Sequence, residues 1–148
     1  MTKTESSPLV VVVFWCVDVY GKLLMQWRNG NHRDCRNCWS PGAGVVHSGE
    51  SLHEAVDREV GEEYRADIKK VDALGYRECL FGNPHIAFDF ICEVDPNQVR
   101  IGERDKVDKI LWYSLGTIPQ APQLHPGCLQ AFRQYPQFTF VAKRLGLT

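Results

Sequence analysis

The chain has 148 residues, 44% hydrophobic, 24% charged and 11% aromatic, enough to bury one core without disulfide or metal staples. A formal net charge of −1 excludes the global basic field that drives non-specific nucleic-acid binding, so no stable nucleic-acid partner is expected. The apolar run Leu9 to Val17 is too short to span a bilayer and ends at Asp18, which leaves no membrane partner. Six scattered cysteines in a domain of this size read as reduced thiols in a cytoplasmic protein. We expect one domain over residues 1–148, with residues 1–8 flexible.

Leu9 to Val19 is rich in β-branched and aromatic residues and reads as a buried strand. Tyr20-Gly21-Lys22 then makes a turn into a second strand, Leu23 to Trp27, as a hairpin. Arg28 to Pro41 is polar and punctuated by Gly, Asn and Pro, so it reads as a loop that is too long to be only a connection. Gly42-Ala43-Gly44 continues it, with a short strand at Val45-Val46. Ser51 to Ala66 is the clearest helix, opened by a capping box of Ser51 and Glu54. Val71 to Leu80 and His85 to Val94 read as strands around Phe81-Gly82-Asn83-Pro84, and Lys109 to Leu115 as another. The tail, Pro126 to Leu145, holds one or two helices broken near Pro136. Strands on both sides of a central helix suggest a layered mixed α/β fold.

On a helical projection Leu52, Ala55, Val56 and Val60 form one apolar stripe, with Tyr64 at its edge. Glu59 and Glu63 fall inside that stripe and Glu62 lies on its shoulder, where a merely soluble helix would carry apolar side chains. Like charges at i, i+3 and i+4 repel, and partial burial raises the cost. A compensating cation is needed, and oxygen ligands at this density suit Mg²⁺, with Mn²⁺ able to substitute. The plainer alternative is a charged surface helix whose glutamates are neutralised by Arg58 and Arg65.

Gly44, Glu50, Arg58, Glu59, Val60, Glu62 and Glu63 fall in the register of the Nudix box, G-x5-E-x7-R-E-U-x-E-E-x-G-U, and the chain resembles the Nudix hydrolase family. Two positions depart from the motif: Arg65 stands where a glycine is usual and Ala66 where a bulky aliphatic is. The resemblance implies an α/β/α sandwich with a central mixed β-sheet. It further implies metal ligation by Glu59, Glu62, Glu63 and the Gly44 carbonyl, with Arg58 orienting Glu59 and Glu50 pairing with Arg58 as structural support. The implied reaction is hydrolysis of a diphosphate linkage in a nucleoside diphosphate joined to another group. An ADP-ribose-like substrate is slightly favoured over nucleoside triphosphates.

Outside the box, Trp39 to Gly44 resembles the family's lead-in and Leu23 to Arg28 its preceding strand. Glu103 to Trp112 resembles a segment in which Glu103 is a metal ligand or general base, with Asp105 and Asp108 as competitors. Arg28 is a candidate phosphate contact, and Trp39, Phe88 and Trp27 are candidates for stacking a base, against a simple core role for each ring. His85 is a weaker candidate for the same site. His32, Cys35 and Cys38 offer three zinc ligands with no second pair at the usual distance, so incidental thiols are favoured. An isopentenyl diphosphate isomerase-like enzyme would want a cysteine between Ser40 and Gly49, where none stands. A non-hydrolytic nucleotide sensor would usually lose box glutamates, and all are kept here. A nucleotide-type small molecule is the expected partner, and a homodimer is allowed.

Overall fold

The computed structural model describes residues 8–32, 35–80, 83–118 and 123–147. Its centre is β1 (Leu9–Val17), whose apolar side chains point both ways: Val13 and Trp15 enter one core, while Val12, Phe14 and Cys16 enter another on the opposite face. A strand that is apolar on both faces belongs in the middle of a sheet. Here it pairs in parallel with β6 (His85–Val94) on one edge and antiparallel with β4 (Gly42–Val45) on the other.

The complete sheet has seven strands, running β3 (Cys38–Ser40), β2 (Leu23–Arg28), β1, β6, β5 (Ile68–Cys79), with β4 added to β1 and β7 (Val107–Tyr113) to β2. Helix α1 (Leu52–Tyr64) covers one face through Ala55, Val56, Val60 and Tyr64. The other face is covered by α2 (Pro126–Gln134) and α3 (Thr139–Arg144), joined by a 3₁₀ turn at Pro136–Phe138. This is the expected α/β/α sandwich with a mixed sheet. Among the described residues no helix is long and apolar enough to cross a membrane.

Several expectations need correction. β1 and β2 do follow one another through a turn, but they pair only at Val17 and Leu23, because the edges of β1 are taken by β4 and β6. The supposed loop from Arg28 to Pro41 contains β3, which is too short for any periodicity to register, and strand β4 starts at Gly42 rather than Val45. β5 begins at Ile68, three residues early, where bulges at Ile68/Lys70 and Ala73/Gly75 scramble the alternation. β7 likewise begins at Val107 rather than Lys109. The flexibility expected of residues 1–8 falls, but for Pro8, outside the described residues, as do Phe81 and Gly82 of the expected turn.

α2 is anchored by a buried ionic cluster. Arg77 on β5 sends Nε and Nη2 to the two oxygens of Asp89 on β6, at 2.7 and 2.8 Å, and Nη1 to the Gly127 carbonyl at 2.8 Å. Asp89, wholly buried, also accepts from Trp15 Nε1 at 2.9 Å and from the Tyr135 hydroxyl at 2.7 Å. Removing either partner of such a pair would strand the other charge at a cost of about 3–5 kcal/mol.

α1 starts as expected, with Ser51 Oγ accepting from the Glu54 amide and Glu54 Oε1 accepting from the Ser51 amide, both at 3.1 Å. It ends on Arg65 in a left-handed conformation, φ 55° and ψ 29°. For a residue with a β-carbon that conformation costs about 1–2 kcal/mol, which a glycine avoids. Arg65 is exposed. Arg65→Gly is therefore expected to stabilise the protein by about 1 kcal/mol, raising the melting temperature by about 2–4 °C. A thermal melt of the two proteins checks this, and an unchanged or lower melting temperature counts against it.

Candidate active site

The inward carboxylates of α1 are where the helical projection put them. Glu59 and Glu63 are each 8% exposed, whereas the Glu62 side chain is 52% exposed. Glu59 lies directly against β4 at Gly44, where a β-carbon would overlap its carboxylate and force it to move, so glycine keeps the place of that carboxylate open. That close approach explains why a glycine interrupts a strand, and why β4 reads as loop.

Arg58 is the hub of the arrangement. Its Nε and Nη2 engage both oxygens of Glu50, at 2.7 and 2.9 Å, a bidentate fork that fixes the guanidinium plane. Nη1 donates to Glu59 Oε1 at 2.7 Å and to Glu62 Oε2 at 3.3 Å, and Nη2 also donates to the Val45 carbonyl at 3.0 Å. Glu50 accepts the His47 amide as well, at 2.9 Å. Hydrogen bonds from Arg58, then from that amide, hold the Glu50 carboxyl down to about 2. The same fork pushes the Arg58 guanidinium further up. One cation thus serves three carboxylates, and Glu63 is not among them.

Glu63 is the uncompensated group. Gln26 Nε2 stands 3.4 Å from its Oε1, and its Oε2 is buried with no hydrogen-bond partner. Burial, then the charges of Glu59 and Glu103, push its pKa well above the ordinary 4.5. Glu103 is brought here by the end of the helix. The amides of Arg100 and Gly102 cap the Tyr64 and Glu63 carbonyls at 2.8 Å each, and Gly102 lies so close to the Glu62 carbonyl that a β-carbon would collide with it. Asp108 turns elsewhere: its Oδ1 accepts from Asn29 Nδ2 at 3.0 Å, and the same Nδ2 donates to the Asp105 backbone carbonyl at 3.0 Å.

Among the described residues, no three His, Cys, Asp or Glu side chains gather closely enough to hold a metal ion by themselves. This applies to His32, Cys35 and Cys38 as it does to the glutamates; Cys38 Sγ donates to the Cys35 carbonyl at 3.0 Å. The donor set still fits a magnesium-type ion, which takes one or two carboxylates and completes its shell with water and substrate phosphate oxygens. Two buried carboxylates with an orphaned oxygen meet that description.

On the α2 face of the sheet, opposite α1, a cavity of about 160 Å³ is walled by Val11, Val13, Ala43 and Ala87 and bordered by Arg28, His85 and His125. It has room for one ring system rather than a whole drug-sized ligand, for which pockets run about 300–1,000 Å³. Ser40 and Pro41 line it too, and the Pro41 carbonyl accepts from Gln26 at 3.3 Å, so cavity and carboxylates share the β3–β4 corner. Arg28 belongs to this corner, its Nε donating to the Cys35 carbonyl at 3.0 Å.

The aromatic candidates fare differently. Trp39 is 5% exposed and wedged edge-on between Trp27 and Tyr113, with the Lys109 ammonium 5.3 Å from the ring centres of both tryptophans. Phe88 lies on the α1 side of the sheet, against Tyr76 and away from the cavity face. In this structure both are packing residues, because the sheet's alternation turns them into the two cores. Gln26, Pro41 and His125 escaped sequence reasoning: a strand glutamine has no chemical signature, and only the fold brings His125 to β3, where its amide donates to the Trp39 carbonyl. Gly102 and its role as a helix stop were equally hidden.

An acidic helix with an arginine clamp, laid on a glycine of a mixed sheet, defines a class of α/β/α proteins. The chain belongs to the NUDIX family: the NUDIX domain model matches residues 7–135. Members of the family are pyrophosphohydrolases acting on diphosphate bonds. A MutT NUDIX hydrolase from Burkholderia pseudomallei is similar in fold, with a TM-score of 0.75 and 23% identity over 87% of this chain and 98% of that one. The NUDIX domain of Shewanella oneidensis NrtR, crystallised with ADP ribose, gives a TM-score of 0.71 and 18% identity over 95% of this chain and 90% of that one. The NAD-capped RNA hydrolase NudC of Pseudomonas aeruginosa is 29% identical over 85 residues, which are 57% of this chain and 30% of NudC. The chain therefore spans under a third of that relative's length.

The Glu63 carboxyl yields a test that does not require knowledge of the substrate. A folded-state pKa raised above 4.5 contributes stability below the unfolded value, and that stability is lost as pH rises through the folded value. Glu63→Gln cannot ionise and escapes that loss. In chelator, its melting temperature should rise relative to wild type as pH goes from about 4.5 towards neutral. A difference that stays flat or shrinks with pH means Glu63 is not strained in the metal-free protein.

Proposed function

We propose that the protein is a Mg²⁺-dependent pyrophosphohydrolase, with Mn²⁺ able to substitute, acting on a nucleoside diphosphate joined to another group. The burial of Glu63 beside Glu59, with one oxygen orphaned and Arg58 already committed, carries this reading: an ionised carboxylate so placed is costly until a cation joins it. Glu59, Glu62, Glu63 and the Gly44 carbonyl would hold that ion. When bound it supplies charge neutralisation for the diphosphate oxygens and lowers the pKa of water.

The chain's own residues do the rest. Arg58 holds Glu59 Oε1, which keeps that carboxylate turned towards β4, and Glu50 keeps Arg58 from swinging away. Arg28, at the mouth of the cavity, pairs with a phosphate while the cavity takes a ring of the substrate. Glu103 accepts a proton from the attacking water as its oxygen bonds to phosphorus. The anhydride P–O bond then breaks, giving two phosphorus-containing products.

An ADP-ribose-like substrate is favoured over nucleoside triphosphates, in keeping with the ADP ribose bound by the NrtR domain. The NAD cap of the RNA on which NudC acts also joins a nucleoside diphosphate to a second group. A panel of ADP-ribose, NAD⁺, UDP-sugars and nucleoside triphosphates with Mg²⁺, scored by kcat/KM, tests the substrate class. Turnover is expected to be highest on a diphosphate-linked compound and to vanish in excess chelator. Undiminished turnover in chelator overturns the metal role, and a preference for triphosphates overturns the substrate class.

Glu103→Gln is expected to lower kcat by about 10²- to 10⁴-fold, the usual contribution of a general base, with far less change in substrate affinity. Wild-type kcat in that variant, with a loss in Asp105→Asn or Asp108→Asn, would transfer the role to the neighbouring acid.

A further inference from the structure

Gln26, 3% exposed on β2, is a buried amide between the two halves of the site. Its Nε2 donates to the Pro41 carbonyl at 3.3 Å and to Glu63 Oε1 at 3.4 Å. A side-chain amide nitrogen carries two hydrogens, so both are committed. The contacts are at the long end for such bonds, as is common in catalytic arrangements that tighten only around ligand. Directly across on β3 is Ser40, in register with Gln26, and its buried Oγ has no partner. Glu63 Oε2 is the second buried oxygen here without one. Buried polar atoms are nearly all paired in folded proteins, so two such oxygens around one committed amide mark a polar centre arranged for a further ligand.

We infer that Gln26 is a positioning residue for the metal-binding carboxylate, an inference that rests on the metal reading above. Its amide holds Glu63 by Oε1 and so leaves Oε2 as the oxygen available to a cation. The second hydrogen ties that carboxylate to Pro41, in the wall of the cavity, so the two halves of the substrate site keep a fixed spacing. The side-chain type matters. Leucine would leave both the Pro41 carbonyl and Glu63 Oε1 without a donor. Glutamate would add another negative charge beside Glu59, Glu63 and Glu103. Neutral, with two donors on one atom, glutamine satisfies both acceptors without adding charge. A bulge between Gln26 and Arg28 breaks the β2–β7 ladder next to it, where re-aiming of side chains is common.

The test is Mn²⁺ binding to the full chain, read from the electron paramagnetic resonance signal of free hydrated Mn²⁺, with the melting temperature in chelator alongside. Wild type should bind Mn²⁺ and Glu63→Gln should bind it much more weakly. Gln26→Leu should raise the Mn²⁺ dissociation constant by about 10- to 100-fold, the usual effect of losing a group that orients a ligand. Its metal-free melting temperature should fall by a few degrees, because two buried acceptors lose their donor, and kcat should return towards wild type once Mn²⁺ saturates. If wild type binds no Mn²⁺, or Glu63→Gln binds it as well as wild type, the metal reading itself falls. If those two behave as expected and Gln26→Leu binds like wild type, the role of Gln26 is overturned. A loss of turnover that excess Mn²⁺ does not restore also overturns it. Should Gln26→Leu fail to fold, Gln26→Met gives the same comparison with a more adaptable side chain.

Discussion

One guanidinium decides the shape of the site. Arg58 takes the two oxygens of Glu50 and one each of Glu59 and Glu62, and it reaches the Val45 carbonyl on β4. Helix, preceding loop and sheet are therefore joined at a single planar group, and hydrogen bonds to charged partners are among the stronger ones in proteins. Everything else follows from what that group does and leaves undone. Because Arg58 is spent on three carboxylates, the fourth, Glu63, is left inside the protein with an amide for company. The fold thus keeps a charge imbalance in one place, and the helix that carries it is held from both ends, by a capping box before Leu52 and by the Arg100–Gly102 amides after Tyr64.

The two faces of the sheet divide the labour. On the α1 face the polar groups are anionic and short of partners. On the α2 face the ionic cluster is matched: Asp89 receives Arg77, Trp15 and Tyr135, and Arg77 continues to the Gly127 carbonyl. That matched cluster fixes the start of α2 against β5 and β6, which gives the cavity its rigid back wall. The unmatched side is where chemistry is expected, since a site that must hold a cation cannot also be satisfied without one.

Much of this was legible in the residues. Helix α1, its N-cap and the inward turn of Glu59 and Glu63 follow from periodicity and the Ser51/Glu54 spacing. The family follows from the spacing of Gly44, Glu50, Arg58, Glu59, Glu62 and Glu63. What could not be read were interactions whose partners lie far apart in sequence or whose elements are too short to have a period. β3 is three residues long, and β4 hides behind its glycines. Gln26 looks like any polar residue in a strand until Glu63 is folded over it. Trp39 and Phe88 looked available for stacking a base, but an aromatic ring in a strand goes to whichever core the alternation assigns. For Trp39 that core already held Trp27 and Tyr113.

β1 has a consequence for how the molecule is made. Its parallel partner β6 lies more than seventy residues downstream, with Leu9 in register with His85 and Val17 with Glu93. A growing chain emerging from the ribosome therefore presents Leu9-Val10-Val11-Val12-Val13-Phe14-Trp15-Cys16-Val17 long before the strand that closes its edge has been synthesised. At about 5–20 residues per second the wait lasts several seconds, and long-range parallel pairing is itself slow to nucleate. During that interval the most β-prone and least charged segment of the protein is without its mate, so this is where chaperone capture or nascent-chain aggregation would begin. The strand that makes the finished molecule rigid is also its greatest exposure during birth.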